Sequence, residues 1–221
     1  MPADLSGWFS HERMAPYFAA TNNVPERAEA LYVWNGDVAA AYWRTLAHVE
    51  VLLRNTCHYT LEQWSAKKYG DVCWYRAAVG NLSDRARTDV ATAIARATRN
   101  GRPEMPGQVV AELSMGFWRY LLASRYDPTL RRWCLHRAFP HLRGRRRDLE
   151  SHVARLHQLR DRIAHLEPLH RLPLLQLHGS MRVVASSINP QARAWIDAHD
   201  SIPEVLARRP MTVPADPLNR L

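Results

Sequence analysis

The chain has 221 residues, of which 47% are hydrophobic, 23% charged and only nine are glycine. This composition excludes a disordered, collagenous or disulfide-framed protein, and a chain of this length buries roughly 70% of its unfolded surface. The formal net charge is +9 and the pI about 10.0.

Three cysteines, Cys57, Cys73 and Cys134, lie far apart and form no CxxC pair. They fit buried thiols in a reducing compartment rather than a disulfide frame or a zinc site. The N-terminus lacks the basic-then-apolar order of a signal peptide, and no stretch approaches 18 uncharged apolar residues. The expectation is a cytoplasmic protein without a membrane partner. All but two of the 30 basic residues are Arg, the exceptions being Lys67 and Lys68. A planar guanidinium binds phosphate bidentately, so the surplus suits a polyanionic partner, nucleic acid first.

The pattern is helical throughout, with neither sustained alternation nor hairpin turn signals. Pro25 opens a long helix whose apolar face runs Leu31, Trp34, Val38, Tyr42, Leu46, Val49, Leu53, Thr56 and Thr60, as far as about Trp64. Ser83 caps a helix over 84–99 that Asn100-Gly101 stops. Further helices are expected over 106–124, from Asp127-Pro128 to just before Pro140, and over 145–166, ended by Pro168. Shorter ones follow over 174–188, 190–199 and 202–208. The fold expected is all-α: one helical-bundle domain of seven to nine helices over 1–209, with a Pro-rich tail over 210–221 that frays.

The helix over 145–166 carries the sharpest chemical signal. With Leu149 at zero and about 100° per residue, Val153, Leu156 and Ile163 fall within about 40° of it, and Arg160 lies among them at about 20°. A guanidinium on an apolar stripe needs a carboxylate such as Glu50 or Glu167, a wet cavity, or an interface that receives an anion. His165 follows in the last turn, about 140° around from Arg160 in a straight helix, unless the chain unwinds before Pro168 and re-aims the ring. An Arg that holds phosphate and an imidazole that moves a proton near neutrality suffice for metal-free RNA cleavage, in which the 2′-hydroxyl attacks the adjacent phosphate. Upstream, Arg131, Arg132, Arg137, Arg143, Arg145, Arg146 and Arg147 form a basic run. Its last three members sit at a helix N-terminus, where cations oppose the dipole and a bound phosphate would offset them. On the long helix Glu50, Arg54 and His58 step by four into a polar row, with Glu50 placed to pair Arg160 and Arg54 to reach phosphate; an exposed i,i+4 ladder accounts for the row equally well.

The segment LRDRIAHLEP, 159–168, resembles the LRNRIAHHEP signature of the Abi-like (abortive infection) proteins of the HEPN superfamily. The segment 30–55, with Glu50, Arg54 and Asn55, is similar to that family's N-terminal block. MGFWRYLL (115–122) resembles its central block and SINPQARAWI (187–196) its C-terminal block, so the resemblance spans about 10–208. It implies an all-helical HEPN-type fold and a metal-independent endoribonuclease of phage defence or a toxin, with no cofactor. It also implies a homodimer in which Arg and His of both subunits line one cleft. Arg160, Asp161 and His165 then take the catalytic positions, and Arg54, Glu50, Arg143, Arg145, Arg146 and Arg147 are the substrate-binding candidates. The other reading is a non-catalytic RNA-binding protein that associates with a small RNA or a protein partner such as an antitoxin. Two departures bear on the choice. Asp161 puts a charge where the family form has a neutral Asn, and Leu166 replaces a second His.

Overall fold

A computed structural model describes residues 4–210, and the tail beyond Pro210 lies outside the described residues. Every regular element among the described residues is helical. Two short helices, α1 (Leu5–Phe9) and α2 (His11–Ala19), lead into α3 (Pro25–Tyr69). Pro25 occupies the first turn of α3, where its missing N–H costs nothing. Gly70, at φ 72°, closes it in the left-handed conformation and donates its N–H to the Ala66 carbonyl. The helix runs five residues past Trp64, because Lys67 and Lys68 in its last turn suit the negative end of the dipole.

The apolar face read from the sequence is the buried face: Leu31, Trp34, Val38, Tyr42, Leu46, Val49 and Leu53 are all in the core. Around α3 pack α2, α4 (Trp74–Ala77), α7 (Met115–Leu121), α8 (Arg146–Ala164), α9 (Leu174–Ile188) and α11 (Ile202–Ala207). Polar tethers fix the register of this packing. Trp34 Nε1 donates to the Val205 carbonyl at 2.8 Å, the Tyr42 hydroxyl to the Leu174 carbonyl at 2.7 Å, and the Leu169 N–H to Asn35 Oδ1 at 2.7 Å. The hairpin of α5 (Asp84–Ala97) and α6 (Pro106–Glu112) sits at one side, and α10 (Pro190–Ala198) packs on α9. Buried side chains from α1 to α11 form one connected hydrophobic cluster. Its aromatic centre is Trp74, Tyr75, Phe117 and Trp118, with ring centroids 5.0–6.1 Å apart.

Two helices expected from the sequence are broken. The segment 106–124 divides at Leu113, whose extended backbone (φ −73°, ψ 126°) ends α6; the Ser114 hydroxyl then caps α7 through the Phe117 N–H. The segment after Asp127-Pro128 forms one π turn, in which Thr129 leaves helical space (φ −117°, ψ −106°), and then a 3₁₀ turn over Leu135–Ala138. These breaks, the short N-terminal helices and α4 give eleven α-helical segments among the described residues, against the seven to nine expected. No described helix is long and apolar enough to cross a membrane.

Candidate functional site

Helix α8 begins where the sequence placed it. Asp148 accepts the Arg145 backbone N–H at 3.1 Å, and Leu149, Val153, Leu156, Leu159 and Ile163 form the buried stripe. The helix ends in a paired turn. The Leu166 N–H donates to the Ile163 carbonyl and the Glu167 N–H to the Arg162 carbonyl at 2.8 Å, with Leu166 at φ 57°. His165 is the last near-helical residue (φ −90°, ψ 8°), so the chain turns after it and not before. The unwinding that would re-aim the ring does not occur before His165. His165 is exposed at the helix end, about 140° around the axis from Arg160. Within one chain the two side chains do not converge.

Arg160 is neither buried nor closed on Glu50 or Glu167. Its side chain is 39% exposed and its guanidinium carbon lies 5.8 Å from the Trp43 ring centre. Its nearest carboxylate is that of Asp161, at 3.6 Å. The position on the apolar stripe is satisfied by snorkelling: the stem lies along the stripe and the charged head reaches water beside Trp43. Glu167 pairs instead with Arg162 at 3.5 Å. Glu50 faces Arg160 and Arg54 without closing an ion pair on either. Its burial pushes its carboxyl above the usual range, and the two guanidinium charges oppose that rise. Arg54 donates through Nε to Asn55 Oδ1 at 3.4 Å. Glu50, Arg54, Arg160 and Asp161 thus come together between α3 and α8.

His58 does not join them as the row of four suggested. Its Nδ1 accepts the Trp74 indole N–H at 3.0 Å, which ties α3 to α4. Two residues that the sequence reading missed join the cluster in its place. His157, three residues before Arg160, lies 3.2 Å from Arg119 through Nδ1 and 3.5 Å from Asp161 through Nε2. Since a guanidinium can only donate, Nδ1 is the acceptor and the ring proton sits on Nε2, towards the carboxylate. Burial holds this imidazole below its ordinary pKa; Asp161 opposes that shift, while Arg119, Arg160 and Arg85 reinforce it. The chain Arg119–His157–Asp161–Arg160 therefore fixes the side-chain position of Asp161 from α7. The spacing of three from Arg160 was the available signal for His157; Arg119 lay inside the MGFWRYLL block.

The basic run is not at this cluster. Arg147 and Arg160 are separated by about 20 Å along α8. Arg143, Arg145 and Arg147 are exposed, and Arg147 has only a loose 3.8 Å contact with Asp148. Arg146 is different: it is clamped by Asp127 at 2.9 Å, by Glu150, and by the Leu122 carbonyl at 2.6 Å. Its guanidinium is committed to the packing of α7 and the π turn against α8, whereas Arg143, Arg145 and Arg147 keep their side chains exposed.

Protein-family models, curated proteins and solved structures give no match to this chain. Among the described residues no three His, Cys, Asp or Glu side chains are grouped so as to hold a metal ion.

Proposed function

We propose that the protein is a metal-independent RNA endonuclease of HEPN type, used in phage defence or as a toxin, whose site is completed by a second copy of the chain. The single observation that carries this reading is the end of α8. A half-exposed Arg160, loosely paired with the adjacent Asp161 at 3.6 Å, and an exposed His165 share one helix yet point apart. A two-fold contact between the ends of α8 brings the Arg160 of one copy towards the His165 of the other, which a single chain cannot do. Arg160 then stabilises charge developing on the phosphate, and His165 transfers a proton to or from the attacking or leaving oxygen. Asp161 orients Arg160, and Arg143, Arg145 and Arg147 hold the strand about 20 Å or more away.

The second reading, RNA binding without cleavage, draws on the carboxylate of Asp161 at 3.6 Å from Arg160, where it competes with phosphate. One experiment separates the two. Purified protein is incubated with single-stranded RNA in excess chelator, beside the Arg160→Ala and His165→Ala variants. Cleavage that leaves 2′,3′-cyclic phosphate ends, spares DNA and 2′-methoxy RNA, and falls about 10²–10⁴-fold in either variant supports the nuclease. Tight binding without products supports the second reading. Full activity in His165→Ala, or robust cleavage of DNA, overturns the assignment.

A further inference from the structure

A groove of about 680 Å³ runs beside the Glu50–Arg54 row, between the middle of α3 and the start of α10. Its walls carry His48, Val51, Asn55 and Tyr59 from α3 and Trp195 from α10. Tyr59 and Trp195 keep 62% and 52% of their surface open to solvent, well beyond what large aromatic rings need for packing. Trp195 is not loose: His199 backs it with ring centroids 4.3 Å apart, and His48 meets it edge-on at 5.2 Å. Among the described residues no carboxylate lines the groove. Two guanidinium groups stand beside it on the same helix, Arg44 before its first lining residue and Arg54 next to Asn55, about 15 Å apart along α3. Arg44 donates to the His199 carbonyl at 3.0 Å, and Arg54 bonds the Asn55 side-chain oxygen and so leaves the amide NH₂ to donate into the groove.

We propose that this groove takes unpaired bases of a single-stranded RNA, stacked on Trp195 and on Tyr59 and read along an edge by Asn55, with Arg54 and Arg44 on phosphates of the same strand. The proposal rests on the RNA-binding part of the reading above and is independent of cleavage. The chemistry of the walls selects the occupant. Any base offers a π face to an indole or phenol ring, and an amide reads a base edge. The two cations match phosphates of the strand that carries those bases, and a lining free of described carboxylates admits a polyanion. A second copy of the chain is the competing occupant. A stable contact between copies buries about 800 Å² on each partner, which a narrow concave groove does not present by itself.

The test uses the full chain with 2′-methoxy oligonucleotides, so that binding is measured without cleavage. Trp195→Ala and Tyr59→Ala remove half-exposed rings and leave the core intact, which circular dichroism verifies. Each is expected to raise Kd roughly 5- to 100-fold, the range of one base stack, with the salt dependence unchanged. An oligonucleotide carrying an abasic residue at the seated position should bind the wild type that much more weakly and bind Trp195→Ala no worse than the intact strand does. Asn55→Ala should narrow the spread of Kd among homopolymers. Wild-type affinity in both aromatic variants overturns the groove. So does a loss of affinity that follows a loss of self-association in sedimentation, which would assign the groove to a second copy. A wild type that binds no RNA overturns this proposal and the nuclease together, whereas binding without cleavage removes only the nuclease.

Discussion

His170 provides a quantitative test of the packing behind the site. It lies five residues past His165, is 2% exposed and packs on the Tyr17 ring, with centroids 5.0 Å apart. Among the described residues neither ring nitrogen has a hydrogen-bond partner. Burial, with the charges of Arg171 and Arg209 nearby, lowers its pKa from 6.5 to about 4; the Pro16 carbonyl, outside hydrogen-bond geometry, offsets only part of this. The unfolded chain takes up a proton near the ordinary imidazole value, whereas the folded chain resists protonation until about pH 4. Between these values the unfolded state binds more protons, so unfolding free energy falls as pH falls. The gap of about 2.5 units corresponds to roughly 3 kcal/mol, none of it lost at pH 7 and nearly all of it lost by pH 4. His170→Leu fills much the same volume and removes both unpartnered nitrogens. Urea denaturation of both proteins across this range should show the variant gaining on the wild type by up to about 1.4 kcal/mol for each pH unit lost below 6.5. His58, His152 and His157, also lowered by burial, add to the slope of both proteins and cancel in the difference. A difference that stays constant from neutral to about pH 4.5 refutes the reasoning.

The arginines at the start of α8 divide in two. Arg146→Ala should cost about 1–3 kcal/mol in denaturant, because it leaves Asp127 and the Leu122 carbonyl short of a partner. Arg145→Ala and Arg147→Ala should change stability by less than about 0.5 kcal/mol, yet each should flatten the slope of log K for single-stranded RNA against log salt by about 0.7. Leu166→Gly should raise Tm, by an amount equivalent to about 0.5–1 kcal/mol, because Leu166 sits at φ 57° with 69% of its surface exposed and has strain to lose and little burial; a fall in Tm contradicts this. A thiol reagent should label Cys73 first, since burial pushes the Cys57 and Cys134 thiols up to about 12 and closes them to solvent. Equal rates at all three positions would refute that assignment.

The long apolar face of α3 was legible because its residues repeat with the helix period and each meets the core. The break between α6 and α7 was not, since neither Gly nor Pro marks Leu113 and only the tertiary fold shows Ser114 acting as a cap. Asp127-Pro128 gave a start signal that the strained backbone at Thr129 cancels one residue later. At the site, the stripe left a carboxylate, a wet cavity or an interface as ways to satisfy Arg160, and a long side chain near a helix end follows the stripe and still reaches water. The basic run and Arg160 were both read as phosphate contacts, and α8 is long enough to hold its first arginines apart from Arg160. His157 and Arg119 escaped notice because their meaning depends on α7 crossing α8, and no local pattern encodes that crossing.

Helix α3 spans 45 residues and so extends about 68 Å. Trp34 near its start is hydrogen-bonded to α11, Glu50 and Arg54 at its middle face α8, and Trp64 near its end stacks on Trp133 at 5.8 Å. All of these contacts depend on one angular phase. Adding or removing a single residue anywhere between Trp34 and Trp64 would turn one part of the helix by about 100° against the other. A change between Trp34 and His48 would swing the row beside Arg160 and the groove at Trp195 away together from α11, even with every side chain retained. The number of residues between those two tryptophans is therefore itself under structural constraint. Homologous chains should differ in the letters of this stretch far more readily than in its length.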